Sequence, residues 1–394
     1  MTFEWYFVSG LIIFPAKITT VKKILFLLIF ASSAVAMTAR DSNPLKLYVG
    51  TFTSEGAEGV YLCSFDTVTG KLEKRQVFKG FDNPSYLQSS ADGKYLYVVN
   101  RATVQVEPTG GFIVAFRIND NGSLSFLNKQ PSYGADPCYV NVSTDGKFAA
   151  IANYGGGTVA LYPVDENGKL LPATSVVQHR GSGPNTARQG APHAHSIRFS
   201  PFSSQLFSAD LGTDQLLIYD LSPTTRQMTP AAQPFAALPP GSGPRHFDFS
   251  ADGKFIYVVN ELNSTVTIYE NQNGRFTELQ SVATVPADAG EGNYCADIHL
   301  SADEKFLYVS NRGHNSIAVF SRHANGLLTL RTNVSTRGDW PRNFTIDPTG
   351  KFLLAANQRS GNIVVFKLEN GIPVFSGNEL AVPAPVCLEF LKEE

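Results

Sequence analysis

The chain has 394 residues, a net charge of −2 and only 17% charged residues. It carries no basic tract, which excludes a nucleic acid as the expected partner. Abundant glycine (33) and proline (23) beside 43% apolar residues suit a turn-rich β protein.

The first 36 residues read as an export signal. Lys22 and Lys23 precede the apolar run ILFLLIF, and ASSAVA ends in small residues at Ala34, Val35 and Ala36. A charged segment, an apolar segment and small residues form a cleavage pattern, which predicts a mature chain beginning near Met37. The apolar run is short for a membrane span, so no stable span is expected in the mature chain. A retained N-terminal anchor is the alternative. Residues 1–20 are an unusual prefix, and a start near Val21 would leave an ordinary signal peptide. The protein is therefore expected to be exported, to the periplasm if the source is bacterial. It would be cytoplasmic if this segment were mis-assigned.

From residue 44 to 394 the chain reads as a single repetitive domain. KLYVG and GVYLCSFDTVTGKLEKR (46–75) supply three strands whose partner first strand is missing. Six whole copies of one phrase follow. Each has an apolar-alternating stretch, a Ser/Asp-x-Asp-Gly-Lys type turn, and a β-rich run ending at Asn100, Asn153, Asp210, Asn260, Asn311 or Asn357. The clearest are SSADGKYLYVVN, SADGKFIYVVN and SADEKFLYVSN. Their end points lie 46 to 57 residues apart, a period that signals a propeller or another repeat array.

Third strands follow as GGFIVAFRI, GTVALYPV, QLLIYDL, STVTIYE, NSIAVFS and NIVVFKL. Fourth strands are expected at NDNGSLSFL, DENGKLLPA, ENQNGRFTEL and SRHANGLLTL. Four antiparallel strands per period make a propeller blade. The tail PAPVCLEFL (383–391) has the spacing of the missing first strand. The fold expected is therefore all-β, a seven-bladed propeller whose C-terminal strand closes the N-terminal blade. An open β-solenoid is the alternative. Cys63 and Cys387 fall in that split blade, so a disulfide between them is conceivable. Buried free thiols are favoured, because Cys63, Cys138, Cys295 and Cys387 show no paired or metal spacing.

Two registers break the repeat. The residues following the Asn-type positions are Thr51, Arg101, Tyr154, Leu211, Glu261, Arg312 and Gln358. Those opening the first strands are Ser85, Cys138, His195, Arg245, Ala296, Arg342 and Val386. Equivalent positions form rings about a propeller axis, so these charged groups should converge at one mouth. Charge is rarely buried unpaired, and an ion pair between Glu261 and a neighbouring blade's Arg is the structural alternative. His193, His246 and Asn343 lie within two residues of the second register. Two His and a Glu also suit a zinc or iron site, but the arginines repel a cation and attract an anion. No metal or other cofactor is expected.

YVGTFT, APHAH, GPRHFDFS, VVNELNSTV, SNRGHNSIAVF and WPRNFTIDPTGKFLLAANQ together resemble the seven-bladed lactonase family from about residue 45 to 391. That family includes propeller-type 6-phosphogluconolactonases and fungal carboxymuconate-lactonising enzymes. The resemblance implies a site of one His, two Arg and a Glu at the channel mouth. By motif these fall on His195 (or His193 of the same run), Arg245, Glu261 and Arg342.

The expected function is hydrolysis of a sugar lactone, anionic or sugar-derived, in the manner of the family's 6-phosphogluconolactonases. His195 is read as general base, Glu261 as its helper, and Arg245 and Arg342 as anion and oxyanion binders. His193, His246, Arg312, Asn343 and Arg101 are read as substrate-binding. An export signal is foreign to the family's cytosolic sugar-phosphate enzymes and points away from the 6-phosphate. A non-catalytic binding propeller and a muconate-type cycloisomerase are the rival readings.

Overall fold

The computed structural model describes residues 44–391 except 103–105 and 109. The expected signal peptide and its Met37 boundary lie outside the described residues. Seven four-stranded antiparallel sheets make up the fold: blade 1 joins 45–78 to Pro385–Phe390, and blades 2 to 7 span 86–131, 137–178, 194–237, 244–283, 294–335 and 341–381. The one helical element among the described residues is a 3₁₀ turn, Thr53–Glu55.

The repeated phrase has a local physical cause. In Ser90-Ala-Asp-Gly-Lys94 the Ser90 hydroxyl donates to Asp92 Oδ1 at 2.6 Å, the Lys94 amide donates to the same oxygen, and Gly93 takes φ +66°. Ser143 with Asp145 and Ser250 with Asp252 repeat the turn. Each turn then feeds an aromatic and β-branched strand that is buried almost throughout, such as Phe255–Asn260.

Blade 1 is built from both ends of the domain. Pro385–Phe390 pairs antiparallel with Leu45–Thr51, with Leu47 opposite Phe390 and Val49 opposite Leu388. Alternation along the C-terminal strand serves two cores. Leu388 and Phe390 pack with Leu47, Phe65 and Phe352 between blades 1 and 7. Cys387 packs with Tyr48, Leu87 and Leu96 between blades 1 and 2. Cys63 belongs to the first of these cores and Cys387 to the second, so the two thiols occupy opposite faces of the sheet. The conceivable disulfide is thereby corrected, and all four cysteines are free and buried.

One expected strand is displaced. DENGKLLPA forms only the bridge Val164–Leu170, and the fourth strand of blade 3 is Ser175–Gln178. Pro172 offers no N–H to a ladder, so pairing resumes beyond it.

Candidate active site

The innermost strands carry the site through a shared irregularity. In blade 3 (Pro137–Val142) Pro137 pairs with Asn153 and Tyr139 with Ala152, leaving Cys138 as an extra residue. The same one-residue surplus leaves His195, Arg245, Arg342 and Val386 unpaired in blades 4, 5, 7 and 1. In blade 6 Ala296 and Asp297 together face the single residue Ser310. A β-bulge bends its strand and re-aims its side chain. The register picked out in sequence is thus the bulge position.

The second register is fixed by the repeated Asn. Asn153 Nδ2 donates to Ser132 O and Thr158 Oγ1, and Asn311 Nδ2 donates to Thr284 O. The next residue's amide then crosses to the entry of its own innermost strand: Arg101 to Asp82 O, Tyr154 to Asp136 O, Glu261 to Gly243 O. Each side chain at this position is therefore held on a rigid corner rather than a free loop.

The two registers meet in a cavity of about 580 Å³ lined by Phe52, Glu55, Arg101, Asp136, Cys138, Tyr154, Arg188, His195, Glu261, Arg312, Arg342 and Gln358, among others. Glu261 is its electrostatic centre. One carboxylate oxygen meets Arg188 Nη2 at 2.5 Å; the other meets Arg312 Nη2 at 2.6 Å and Arg245 Nε at 3.2 Å. Burial alone would raise its pKa, but Arg312, Arg245 and Arg188 hold it down at about 2. Arg101 pairs with Asp136 at 2.8 Å. Arg342 has no carboxylate or hydrogen-bond partner among the described residues, and its guanidinium stands 5.1 Å from the Phe52 ring. Burial, then the charges of Arg245, Arg312 and Arg101, push its pKa down. Counting Arg245 behind the wall, five guanidiniums face the carboxylates of Glu55, Asp136 and Glu261. The cavity therefore favours an anion.

His195 is 4% exposed. Its Nδ1 lies 4.0 Å from Cys138 Sγ, and its ring meets Tyr154 edge-on at 5.4 Å. Burial, then the charges of Arg245, His246, Arg342 and Arg312, hold its pKa well below 6.5. The imidazole is neutral at physiological pH. Cys138 is a poor nucleophile, because burial pushes its pKa up to about 11.

The structure thus gathers His195, Glu261, Arg342, Arg312 and Arg101 around one cavity. Arg245 is fully buried and is not among the lining residues. Its Nη1 donates to Ala296 O and contacts His246 Nε2 at 3.2 Å. His246 Nδ1 donates to Asp297 Oδ1 at 2.7 Å, and Asn343 joins the same carboxylate. His246 and Asn343 therefore sit in a deeper polar layer. His193 stacks on Tyr154 at 4.5 Å and bonds to its carbonyl, behind the cavity wall. No hydrogen bond joins Glu261 to His195 among the described residues; its carboxylate instead contacts the three guanidiniums of Arg188, Arg245 and Arg312. Arg188 escaped the sequence reading. It lies in a non-repetitive loop, where the only signal was a basic residue shortly before APHAH.

Comparison with known proteins agrees with this architecture. The profile described as "Lactonase, 7-bladed beta-propeller" matches residues 46–390. A Bacillus subtilis protein named 6-phosphogluconolactonase is 38% identical over 352 residues, covering 88% of this chain and 98% of its own length. A 6-phosphogluconolactonase of Formosa agariphila is 38% identical over 82% of this chain and 92% of its own. The solved periplasmic gluconolactonase of Pseudomonas aeruginosa superposes with a TM-score of 0.83 at 33% identity, covering 88% of this chain and 99% of its own. The chain belongs to the seven-bladed β-propeller lactonase family.

Proposed function

We propose that this protein hydrolyses sugar lactones, with His195 as general base and Arg342 as the principal oxyanion binder. The observation that carries the reading is a buried neutral imidazole sharing one cavity with an unpaired guanidinium. A neutral imidazole can take a proton from water as the water oxygen attacks the lactone carbonyl. The negative charge that then develops on the carbonyl oxygen needs a donor with no prior partner, and Arg342 supplies one. Collapse of the tetrahedral intermediate breaks the bond from the carbonyl carbon to the ring oxygen. The imidazolium returns its proton to that oxygen, and the product leaves as a hydroxy acid. His195 among cations is an intrinsically weak base. An anionic substrate and the developing oxyanion offset those cations and strengthen it as the reaction proceeds.

Glu261 is ionised throughout and neither gives nor takes a proton. It fixes Arg188 and Arg312 at the cavity wall, with Arg245 holding it from behind. Arg101 and Arg312 supply positive potential for an anionic substituent. No step calls for a metal or another cofactor.

The experiment is a panel. Turnover of D-glucono-δ-lactone or its 6-phosphate, with none of carboxymuconate, is expected. Cyclisation of carboxymuconate alone would favour the isomerase. Binding of lactones or hydroxy acids without turnover would favour a non-catalytic propeller.

The reading includes export, supported by residues 22–36 and by the printed description of the Pseudomonas aeruginosa structure as periplasmic. N-terminal sequencing of protein recovered from the cell envelope should begin near Met37. Intact protein in the cytosol starting at Met1 would overturn this part.

A further inference from the structure

Five blades enter their innermost strand by the same step, a left-handed residue followed by proline. The pairs are Asn83–Pro84, Asp136–Pro137, Gly243–Pro244, Trp340–Pro341 and Ala384–Pro385, with φ of +46°, +56°, +63°, +67° and +42°. Asn, Asp and Gly tolerate this region, whereas a bulky side chain does not. Trp340 is the bulky exception. A strained residue that persists beside a cavity points to a role the surroundings enforce.

In two of the five blades the residue in this slot reaches back to an arginine. From blade 3, Asp136 reaches back to Arg101, the register residue of blade 2. From blade 7, Trp340 reaches back to Arg312, the register residue of blade 6, whose guanidinium stands 5.4 Å from the indole. Arg359 lies against the same indole at 3.4 Å, and Tyr294 is 6.0 Å away. The backbone on both sides is tied: the Trp340 amide donates to Asn315 Oδ1 at 2.9 Å, and its carbonyl accepts from the Gln358 amide at 3.0 Å. Arg312 already spends its edge on Glu261 at 2.6 Å and on the carbonyls of Tyr294 and Cys295. An indole adds a contact to the guanidinium face, which orients it without competing for those hydrogen bonds.

We propose that Trp340 is a positioning residue, held in a left-handed conformation so that its indole packs on the face of Arg312 and sets the angle of a guanidinium whose edge is bonded to Glu261 and to the carbonyls of Tyr294 and Cys295. The proposal rests on the lactonase reading, because Arg312 is placed there as a substrate-binding cation.

Three variants test it: Trp340→Gly, Trp340→Ala and Trp340→Phe. Glycine adopts the left-handed conformation freely while alanine keeps the strain, so Trp340→Gly should melt above Trp340→Ala. Both should lose about tenfold in kcat/KM on whichever lactone the wild type hydrolyses, chiefly through KM. Trp340→Phe keeps a ring face and should stay within about threefold of wild type. The proposal is overturned if the Gly and Ala variants stay within that same range. It is also overturned if Phe falls as far as Ala, if Gly melts no higher than Ala, or if both small variants fail to fold.

Fluorescence supplies a readout independent of turnover. Trp5 and Trp340 are the chain's two tryptophans, so the difference between wild type and Trp340→Phe reports this indole. D-Gluconate or inorganic phosphate should shift that difference signal saturably, and a flat titration counts against the stack. Should wild type turn over no lactone at all, the lactonase reading fails, and the titration and melting order alone judge Trp340.

Discussion

Deleting residues 383–394 should leave a chain that does not fold cooperatively. The cut removes the whole inner strand of blade 1, Pro385–Phe390, and with it the pairing to Leu45–Thr51. Val386, Leu388, Phe390 and Leu391 are buried at 2%, 5%, 7% and 6% exposure. At roughly 1.5–3 kcal/mol for each buried apolar side chain, these four contribute about 6–12 kcal/mol. That matches the entire stability of a typical domain, about 5–15 kcal/mol. Two ties to neighbouring blades go as well: the Leu388 amide donates to Asn343 Oδ1 at 2.7 Å, and Glu389 Oε1 accepts from the Ser89 amide at 2.9 Å. Thermal melts followed by circular dichroism check this. A truncated protein that melts within a few degrees of the full chain would contradict closure by a shared blade.

The second large effect is on chemistry. His195→Ala should lower turnover by about 10²–10⁴-fold, the usual contribution of a positioned general base. Arg342→Ala should lower it by about 10²–10³-fold, as loss of an oxyanion donor does. Neither change leaves a buried charge without its partner, so both proteins should fold. Glu261→Gln should behave differently. It breaks a buried pairing with three guanidiniums, a loss of about 3–5 kcal/mol, so stability and turnover should fall together.

The pH profile follows from the same groups. The folded protein holds His195 neutral well below 6.5. The free enzyme's kcat/KM should therefore keep its plateau below pH 6.5 instead of falling there. The sign for stability is opposite to that of a paired histidine. The unfolded chain takes up the His195 proton near pH 6.5 and the folded chain does not, so stability declines as pH falls below that value. Glu261 has a depressed folded pKa, so its contribution is complete above about 4.5 and is lost as pH falls toward 2.

Blade number, the split blade and both rings were legible in the sequence because each rests on local chemistry. The Ser-x-Asp-Gly-Lys turn and the strand-ending Asn recur with residue types that have few other uses, and counting from them aligns the blades. The bulge was not legible. It adds one residue at the same point in several blades, so the repeat shows no gap. Its consequence was hidden too: His246 and Asn343, each one residue past the ring position, sit in a deeper layer with Asp297. The partners of Glu261 were only half visible, because Arg312 and Arg245 lie in repeats and Arg188 does not. The burial that keeps His195 neutral depends on cations from three other innermost or second strands, which no local pattern announces.

Turnover and melting temperature measured together on wild type, His195→Ala and Arg342→Ala, with D-glucono-δ-lactone and its 6-phosphate, test the central claim most directly. The account predicts at least a hundredfold loss of turnover in each variant with melting temperatures within a few degrees of wild type. Full activity in both variants would contradict it and remove the lactonase chemistry from this mouth.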